Sequence, residues 1–162
     1  MKKPKNQAEE APASPTIENR KARHDFHLLE RFEAGVVLLG SEVKAIREGR
    51  INLQDSFIRI WNEAPWLYNC HISPYSRKQG HEIIDPIRTR KLLLNAVEIK
   101  KLKEWVERKK GVSVIPVKGY FKKGRFKLEI AFAEGKKLHD KRDAIKKRMQ
   151  DREAQAAMKR AR

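Results

Sequence analysis

The sequence predicts a mainly β protein: a small, mostly antiparallel β-barrel with one short and one longer helix, followed by a basic tail. Three observations lead there. Phe126, Leu128, Ile130 and Phe132 alternate with Lys127, Glu129, Ala131 and Ala133, the period-two pattern of a strand buried on one face. Further short apolar runs bounded by turn residues recur along the chain, and too few helical patterns interleave them to build a parallel α/β sheet. After Gly135 the alternation stops. Residues 136–162 carry eleven Lys/Arg against four Asp/Glu and no large aromatic residue, so this tail cannot bury a core of its own.

Taken in order, residues 1–16 hold three prolines and Glu9-Glu10 among small polar residues, too little apolar surface to offset ordering, and are expected to be disordered. Order is expected from Ile17, followed by the basic cluster Asn19-Arg20-Lys21-Ala22-Arg23-His24. Phe26, Leu28 and Phe32 lead into the apolar run 36–39, a long first strand bent near Glu33-Ala34-Gly35, where glycine permits a bulge. Ser41 is read as the N-cap of a short helix through Val43, Ala45 and Ile46, with Gly49 ending it. Residues 53–61 and 66–72 form a hairpin joined by Asn62-Glu63-Ala64-Pro65, with Trp66, Tyr68, Cys70 and Ile72 sharing one face.

From Pro74 to Gly80, and on toward Pro86, turn residues without periodicity indicate a loop. Arg88, Arg90 and Lys91 precede Leu92-Leu93-Leu94. Asn95 then caps the longer helix, with Glu98 three residues on, Gly111 as terminator, and Ile99, Leu102, Trp105 and Val106 on one face. A last hairpin pairs 112–117 with 126–132 around Lys122-Lys123-Gly124. Repeats of period 20 to 50 are lacking. These elements fit an OB-like barrel over residues 17–134, with the tail over 135–162.

The chain of 162 residues has a formal net charge of +17, which points to a polyanionic partner. No apolar run approaches the roughly 20 residues of a spanning helix, and residues 1–16 lack the apolar stretch of a secretory signal. A lone cysteine, Cys70, excludes an internal disulfide and agrees with a reducing cytoplasm; within an apolar alternation it reads as a small core residue. No Cys pair, phosphate-binding glycine loop or nucleophile elbow occurs. The pairs His24-Asp25 and His139-Asp140 supply too few ligands for a metal, and adjacent residues on a strand face opposite ways, so neither metal nor cofactor nor catalysis is expected.

What remains is a nucleic acid, RNA or DNA. Lys21, Arg23 and His24, with Arg90 and Lys91, are the candidate phosphate contacts of the barrel. Glu33, beside glycine in a strongly basic chain, either pairs with a neighbouring arginine or accepts hydrogen bonds from base edges and 2′-hydroxyls. In the tail, Lys136, Lys137, His139, Asp140, Lys141, Arg142, Lys146, Lys147 and Arg148 form the second candidate set. Ala144, Ile145, Met149 and residues 156–158 stand among good helix formers, which predicts an arm that is disordered when free and turns helical once phosphates neutralise it. His139 is placed either to stack on a base or to stand as a spectator at the strand exit.

Five ordered motifs carry a resemblance: Asn19-Arg20-Lys21-Ala22-Arg23-His24-Asp25-Phe26, Phe32-Glu33-Ala34-Gly35, Gly40-Ser41-Glu42-Val43-Lys44, the run from Asp85-Pro86 to Leu94-Asn95, and Gly135-Lys136-Lys137-Leu138-His139-Asp140-Lys141-Arg142. With these the chain resembles the SmpB family of SsrA-binding proteins over residues 17–162; Met149-Gln150 departs from the pattern by lacking an acidic residue. The resemblance implies an OB-type barrel that binds the tRNA-like domain of transfer-messenger RNA (tmRNA), assists its aminoacylation with alanine and delivers it to stalled ribosomes. It also implies that Asn19, Glu33 and Leu93 belong to the RNA-binding barrel. By the same resemblance the tail occupies the decoding centre and empty mRNA channel of the small subunit, with His139 stacked on ribosomal RNA. The expected protein is a cytoplasmic monomer in trans-translation, and the competing expectation is a general ribosome-associated protein that recognises RNA shape.

Overall fold

The computed structural model describes residues 15–75 and 84–160, with nine strands and four helices among them. The expectations of disorder at the amino terminus and of a loop through Gly80 fall largely outside those residues. The elements run β1 (Ile17–Glu18), α1 (Arg20–Asp25), β2 (Phe26–Val36), α2 (Gly40–Arg47), β3 (Ile51–Asn52), β4 (Phe57–Trp61) and β5 (Ala64–Tyr68). They continue with β6 (His71–Ile72), β7 (Arg90–Leu93), α3 (Ala96–Arg108), β8 (Val112–Lys122), β9 (Arg125–Gly135) and α4 (Leu138–Arg160). Every strand pairing is antiparallel. The order β8-β4-β5-β7-β2-β9 returns to β8 through the β8–β9 pairing, so six strands close a ring with no free edge between them. β1 adds to β8 at Gly119 and Lys118, and β3 pairs with β6 beside the ring.

Alternation decides what the ring encloses. Phe126, Leu128, Ile130 and Phe132 of β9 are buried, together with Phe32 and Ala34 of β2 and Leu92 of β7. Phe132 meets Phe32 edge to face at 5.4 Å and stacks on Trp105 of α3 at 4.4 Å. Leu102 from the same helix is fully buried. Each such side chain contributes about 1.5–3 kcal/mol by leaving water, and aromatic pairs add about 0.5–1.5 kcal/mol. The β8–β9 hairpin turns in two residues, Lys123 and Gly124, both at positive φ (50° and 74°), the turn whose twist suits paired strands.

Several local expectations are corrected. The irregularity in β2 lies between Leu28 and Arg31, where three steps on β2 face two on β9; Gly35 sits in regular pairing. A second bulge follows Pro116 in β8, whose imino nitrogen has no hydrogen to give the ladder. The stretch 53–61 is not one strand. Asn52 Oδ1 accepts from the Gln54 N–H and Ser56 Oγ donates to the Leu53 carbonyl, turning the chain before β4. The β4–β5 turn is Asn62-Glu63 alone, both at positive φ.

Pro65 and Leu67, rather than Trp66 and Tyr68, face the core; Asn69 at φ 56° then reverses the phase, which is why Cys70 and Ile72 are buried. The thiol of Cys70 is pushed up to about 11 by that burial. α2 begins one residue before Ser41, with Leu39 as N-cap and its N–H bonded to Glu42. In α3 the Asn95 N–H donates to Glu98 as the capping pattern predicts. Val106 is exposed and does not join the buried face. Strand β9 reaches Gly135, one residue into the segment assigned to the tail.

Candidate nucleic-acid interface

Because Phe32 and Ala34 point inward, Arg31, Glu33 and Gly35 of β2 point outward, and the same alternation turns the half-buried Lys118 and Tyr120 and the exposed Lys122 of β8, with the half-buried Lys127 and Glu129 of β9, to that face. The register sets Gly35 between Leu93 of β7 and Lys127 of β9, and sets Lys127 against Tyr120 of β8. A Cβ on Gly35 would stand 3.3 Å from Leu93 Cβ, so glycine lets the leucine lie across the strand. Leu93 is 55% exposed.

Glu33 is the centre of this patch. Tyr120 Oη donates to Oε2 at 2.5 Å, Lys122 Nζ donates to both carboxylate oxygens at 3.1 and 3.2 Å, and Lys127 Nζ lies at 4.0 Å. The Tyr120 hydroxyl, then Lys122, hold the Glu33 carboxyl below its usual range, and the carboxylate in turn pushes the Tyr120 hydroxyl up to about 12. The ion pair expected with an arginine forms instead with lysines, while Arg31 turns to Glu129 at 2.9 Å. A carboxylate held ionised, with a side chain still 37% exposed, accepts donors that cations refuse, and lysines surround it for phosphates.

The arm is tied down at its first turn. Lys136 N–H donates to the Asp25 carbonyl at 2.9 Å and its Nζ to the Arg23 carbonyl at 3.1 Å. His27 Nε2 lies 3.4 Å from Asp140 Oδ2, and Lys141 Nζ lies 3.4 Å from Asp25 Oδ1. His24, then Lys141, hold the Asp25 carboxyl low; His27, then the Lys137 N–H, do so for Asp140. Beyond this latch α4 buries no residue among those described, and Arg142, Lys146, Lys147 and Arg148 are exposed. His139 is 84% exposed and pairs with Asp143 at 2.8 Å, not with its neighbour Asp140.

The family model for the SmpB protein matches residues 16–160. This chain belongs to the SmpB family. The SsrA-binding protein of Thermosynechococcus vestitus is 51% identical over 142 residues, which covers 88% of this chain and 93% of that one. The SsrA-binding protein of Lacticaseibacillus casei is 46% identical over 149 residues, covering 91% and 93%. A chain from a solved tmRNA–SmpB structure concerned with the centre of the bacterial ribosome is similar at a TM-score of 0.65 and 41% identity, covering 81% of this chain and 94% of that one. Like that neighbour, this SmpB-family chain is mainly β with one large antiparallel sheet.

The structure brings the sequence-predicted barrel residues to three places. Glu33, Lys91 and Leu93 lie on the outward face of the barrel. Lys21, Arg23 and His24 lie on α1 beside the arm: Lys21 is paired with Asp55 at 2.6 Å, Arg23 reaches Glu18 at 4.0 Å, and His24 meets Asp25 at 2.8 Å. These last two neighbours end helix α1 and bond there, where the sequence reading assumes a strand.

Asn19 and Arg90 are buried, and neither offers a side chain to RNA in this conformation. Asn19 Nδ2 donates to the Leu53 and Pro116 carbonyls and its Oδ1 accepts from the Ala22 N–H, pinning α1 to the β8 bulge. Arg90 has 0% side-chain exposure; its nitrogens reach Glu42 and the carbonyls of Cys70, Arg88 and Pro86. Burial pushes the Glu42 carboxyl up, but Arg88, the Leu39 N–H and Arg90 outweigh it and hold the group below its ordinary value. Sequence reasoning missed Gly35 as a seat for Leu93, and missed Tyr120, Lys122 and Lys127. The outward alternation Lys118-x-Tyr120-x-Lys122 opposite Lys127 carried that signal. Among the described residues no group of three His, Cys, Asp or Glu could hold a metal ion, and no helix is long and apolar enough to cross a membrane.

Proposed function

We propose that the protein is a tmRNA-binding adaptor of trans-translation, working in the cytoplasm on stalled ribosomes and catalysing no reaction itself. The barrel holds the tRNA-like domain of tmRNA through the patch around Glu33. Lys122 and Lys127 neutralise phosphates, Glu33 accepts hydrogen bonds from base edges or 2′-hydroxyls, and Leu93 packs on the sugar-base surface. Lys91, with the α1 cluster of Lys21, Arg23 and His24, extends the phosphate contacts, while Asn19 and Arg90 act by shaping the barrel. The arm addresses small-subunit ribosomal RNA through Lys136, Lys137, His139, Asp140, Lys141, Arg142, Lys146, Lys147 and Arg148. Its helix buries no residue among those described, so phosphates neutralise its charge on the ribosome, and the exposed His139 stacks on a base at the decoding centre.

The observation that carries this reading is the ionised Glu33, held by Tyr120 and two lysines beside Leu93 on the outer barrel face. A protein that read only phosphates would have no use for an acidic acceptor there. The test is competition binding of the tRNA-like domain of tmRNA against an elongator tRNA of equal length. Selective binding that weakens with Glu33→Gln supports the adaptor; equal affinity for both RNAs establishes the general RNA-binding alternative.

A further inference from the structure

The hairpin β4–β5 presents a surface that the adaptor reading leaves without a task. Ile58 and Ile60 pair with Leu67 and Pro65 on the core side, so the opposite side carries Arg59 and Trp61, both exposed, with Phe57, Trp66 and Tyr68 half-buried beside them. Phe57 and Tyr68 are paired across the strands, their rings stacked at 5.4 Å with planes 5° apart, and the Arg59 guanidinium lies 5.1 Å over Phe57. Trp66 stands in register between two cations, Arg59 on β4 and Lys91 on β7. Its indole N–H donates to the Trp61 carbonyl at 3.1 Å, which fixes the ring at the hairpin tip. Trp61 itself is 68% exposed. The neighbouring carboxylate, Glu63, is turned to Lys103 at 2.6 Å and held ionised by it.

A row of aromatic faces flanked by cations and fixed on paired strands is the chemistry that receives unpaired bases, because every base has a π-face and each phosphate seeks a cation. A protein partner of apolar character would meet Arg59 and Lys91 in the middle of its contact, and the chain's charge of +17 favours an anion. The surface also runs without a break into the Glu33 patch, since Lys91 and Leu93 lie on the same face of β7 and Leu93 pairs with Gly35. We infer that the outward face of β4–β5 is a stacking platform for unpaired nucleotides of an RNA strand, with Trp61 as its exposed end and Arg59 and Lys91 along the phosphates. This deepens the adaptor reading and rests on it for the identity of the RNA, though not for the stacking chemistry.

The test uses the full chain and two labelled RNA probes: an oligoadenylate of about 12 nucleotides, within the span that one such barrel covers, and a duplex of the same length. Trp61→Ala should weaken the single strand roughly 5- to 150-fold, the range for one base lost from one aromatic. The duplex affinity and the salt slope of both probes should not change, because no cation is removed. Arg59→Gln should instead lower the single-strand salt slope by about one unit. In a second measurement Trp66→Phe and Trp105→Phe together leave Trp61 as the fluorescent reporter, and oligoadenylate should quench it where the duplex does not. Equal loss of both probes with Trp61→Ala, or an unaltered single-strand affinity with unquenched Trp61, overturns the platform. Titration with the tRNA-like domain of tmRNA against elongator tRNA runs in parallel. Lack of selectivity there sinks the adaptor reading while the contrast between single strand and duplex still decides the platform.

Discussion

Replacing Arg90 with methionine separates a structural arginine from an RNA-binding one. In the folded chain its guanidinium is fully enclosed, paired with Glu42 at 2.8 Å and bonded to the carbonyls of Cys70, Arg88 and Pro86 at 2.7 to 3.1 Å. Arg90→Met keeps much of the volume but leaves the buried Glu42 with Arg88 and the Leu39 N–H, and removes the donor from three carbonyls. Breaking a buried pair on one side costs about 3–5 kcal/mol, a large part of the 5–15 kcal/mol that holds a domain together. The melting temperature should fall by roughly 6–20 °C, and the urea midpoint should fall with an unchanged slope.

The pH dependence gives a second signature. Glu42 sits below its ordinary 4.5 when folded, so its contribution is complete above about pH 4.5 and is lost as pH falls through the folded value. With Arg90 gone, one of the three groups that outweigh burial is lost and the carboxyl is held less low, so that loss shrinks and the stability gap between the two proteins narrows on acidification. RNA affinity of the folded fraction should stay within about twofold, since no exposed cation is removed. A variant with unaltered urea midpoint and a salt slope lower by one unit would refute the structural role and return Arg90 to the RNA.

Three further outcomes follow from the same geometry. Glu33→Gln should weaken the tRNA-like RNA by about tenfold or more, as the loss of a hydrogen bond to a charged group implies, with little change in the melting temperature, and Tyr120, no longer pushed up by the carboxylate, should titrate lower in an ultraviolet titration. Gly35→Ala should push Leu93 aside from its 3.3 Å seat and reduce that affinity, while thermal stability falls by about 1 kcal/mol, the low end for overpacking because Leu93 is exposed; an unchanged affinity would remove Leu93 from the interface. Asp25→Asn should free the first turn of α4 by weakening its hold on Lys141 and His24, read as faster amide exchange at residues 138–141 with protection of β9 unaltered.

The barrel was legible because its strands alternate cleanly: Phe126, Leu128, Ile130 and Phe132 announce both the strand and its buried face. Helix α3 was equally plain from Asn95, Glu98 and the spacing of Ile99 and Leu102. What sequence could not show was phase across an irregularity. Asn69 in a left-handed conformation reversed which residues of the 66–72 stretch are buried, and Pro116 moved a bulge into β8 while β2 bulged at Leu28 to Arg31 instead of at Gly35.

The site was readable as far as residue type goes and unreadable in its pairing. Asn19 and Arg90 read as surface polar groups, because only the fold brings the Pro116 carbonyl to one and Glu42 to the other. Glu33 was singled out as a carboxylate in need of a partner, but the partners it has, Tyr120 and Lys122, lie almost ninety residues away, where register and not sequence joins them.

The central claim is that the barrel holds one RNA and the arm another. Asp140 and Lys141 belong to the latch, so the cleaner variant replaces Arg142, Lys146, Lys147 and Arg148 together with alanine, all exposed on α4. The measurement is peptide tagging on stalled ribosomes in a purified translation system, with affinity for the tRNA-like domain of tmRNA taken on the same preparations. The account predicts tagging reduced at least about tenfold, as the loss of several phosphate contacts implies, beside an affinity for the tRNA-like domain changed by less than about threefold. Full tagging by this variant, or an equal fall in both quantities, would contradict it.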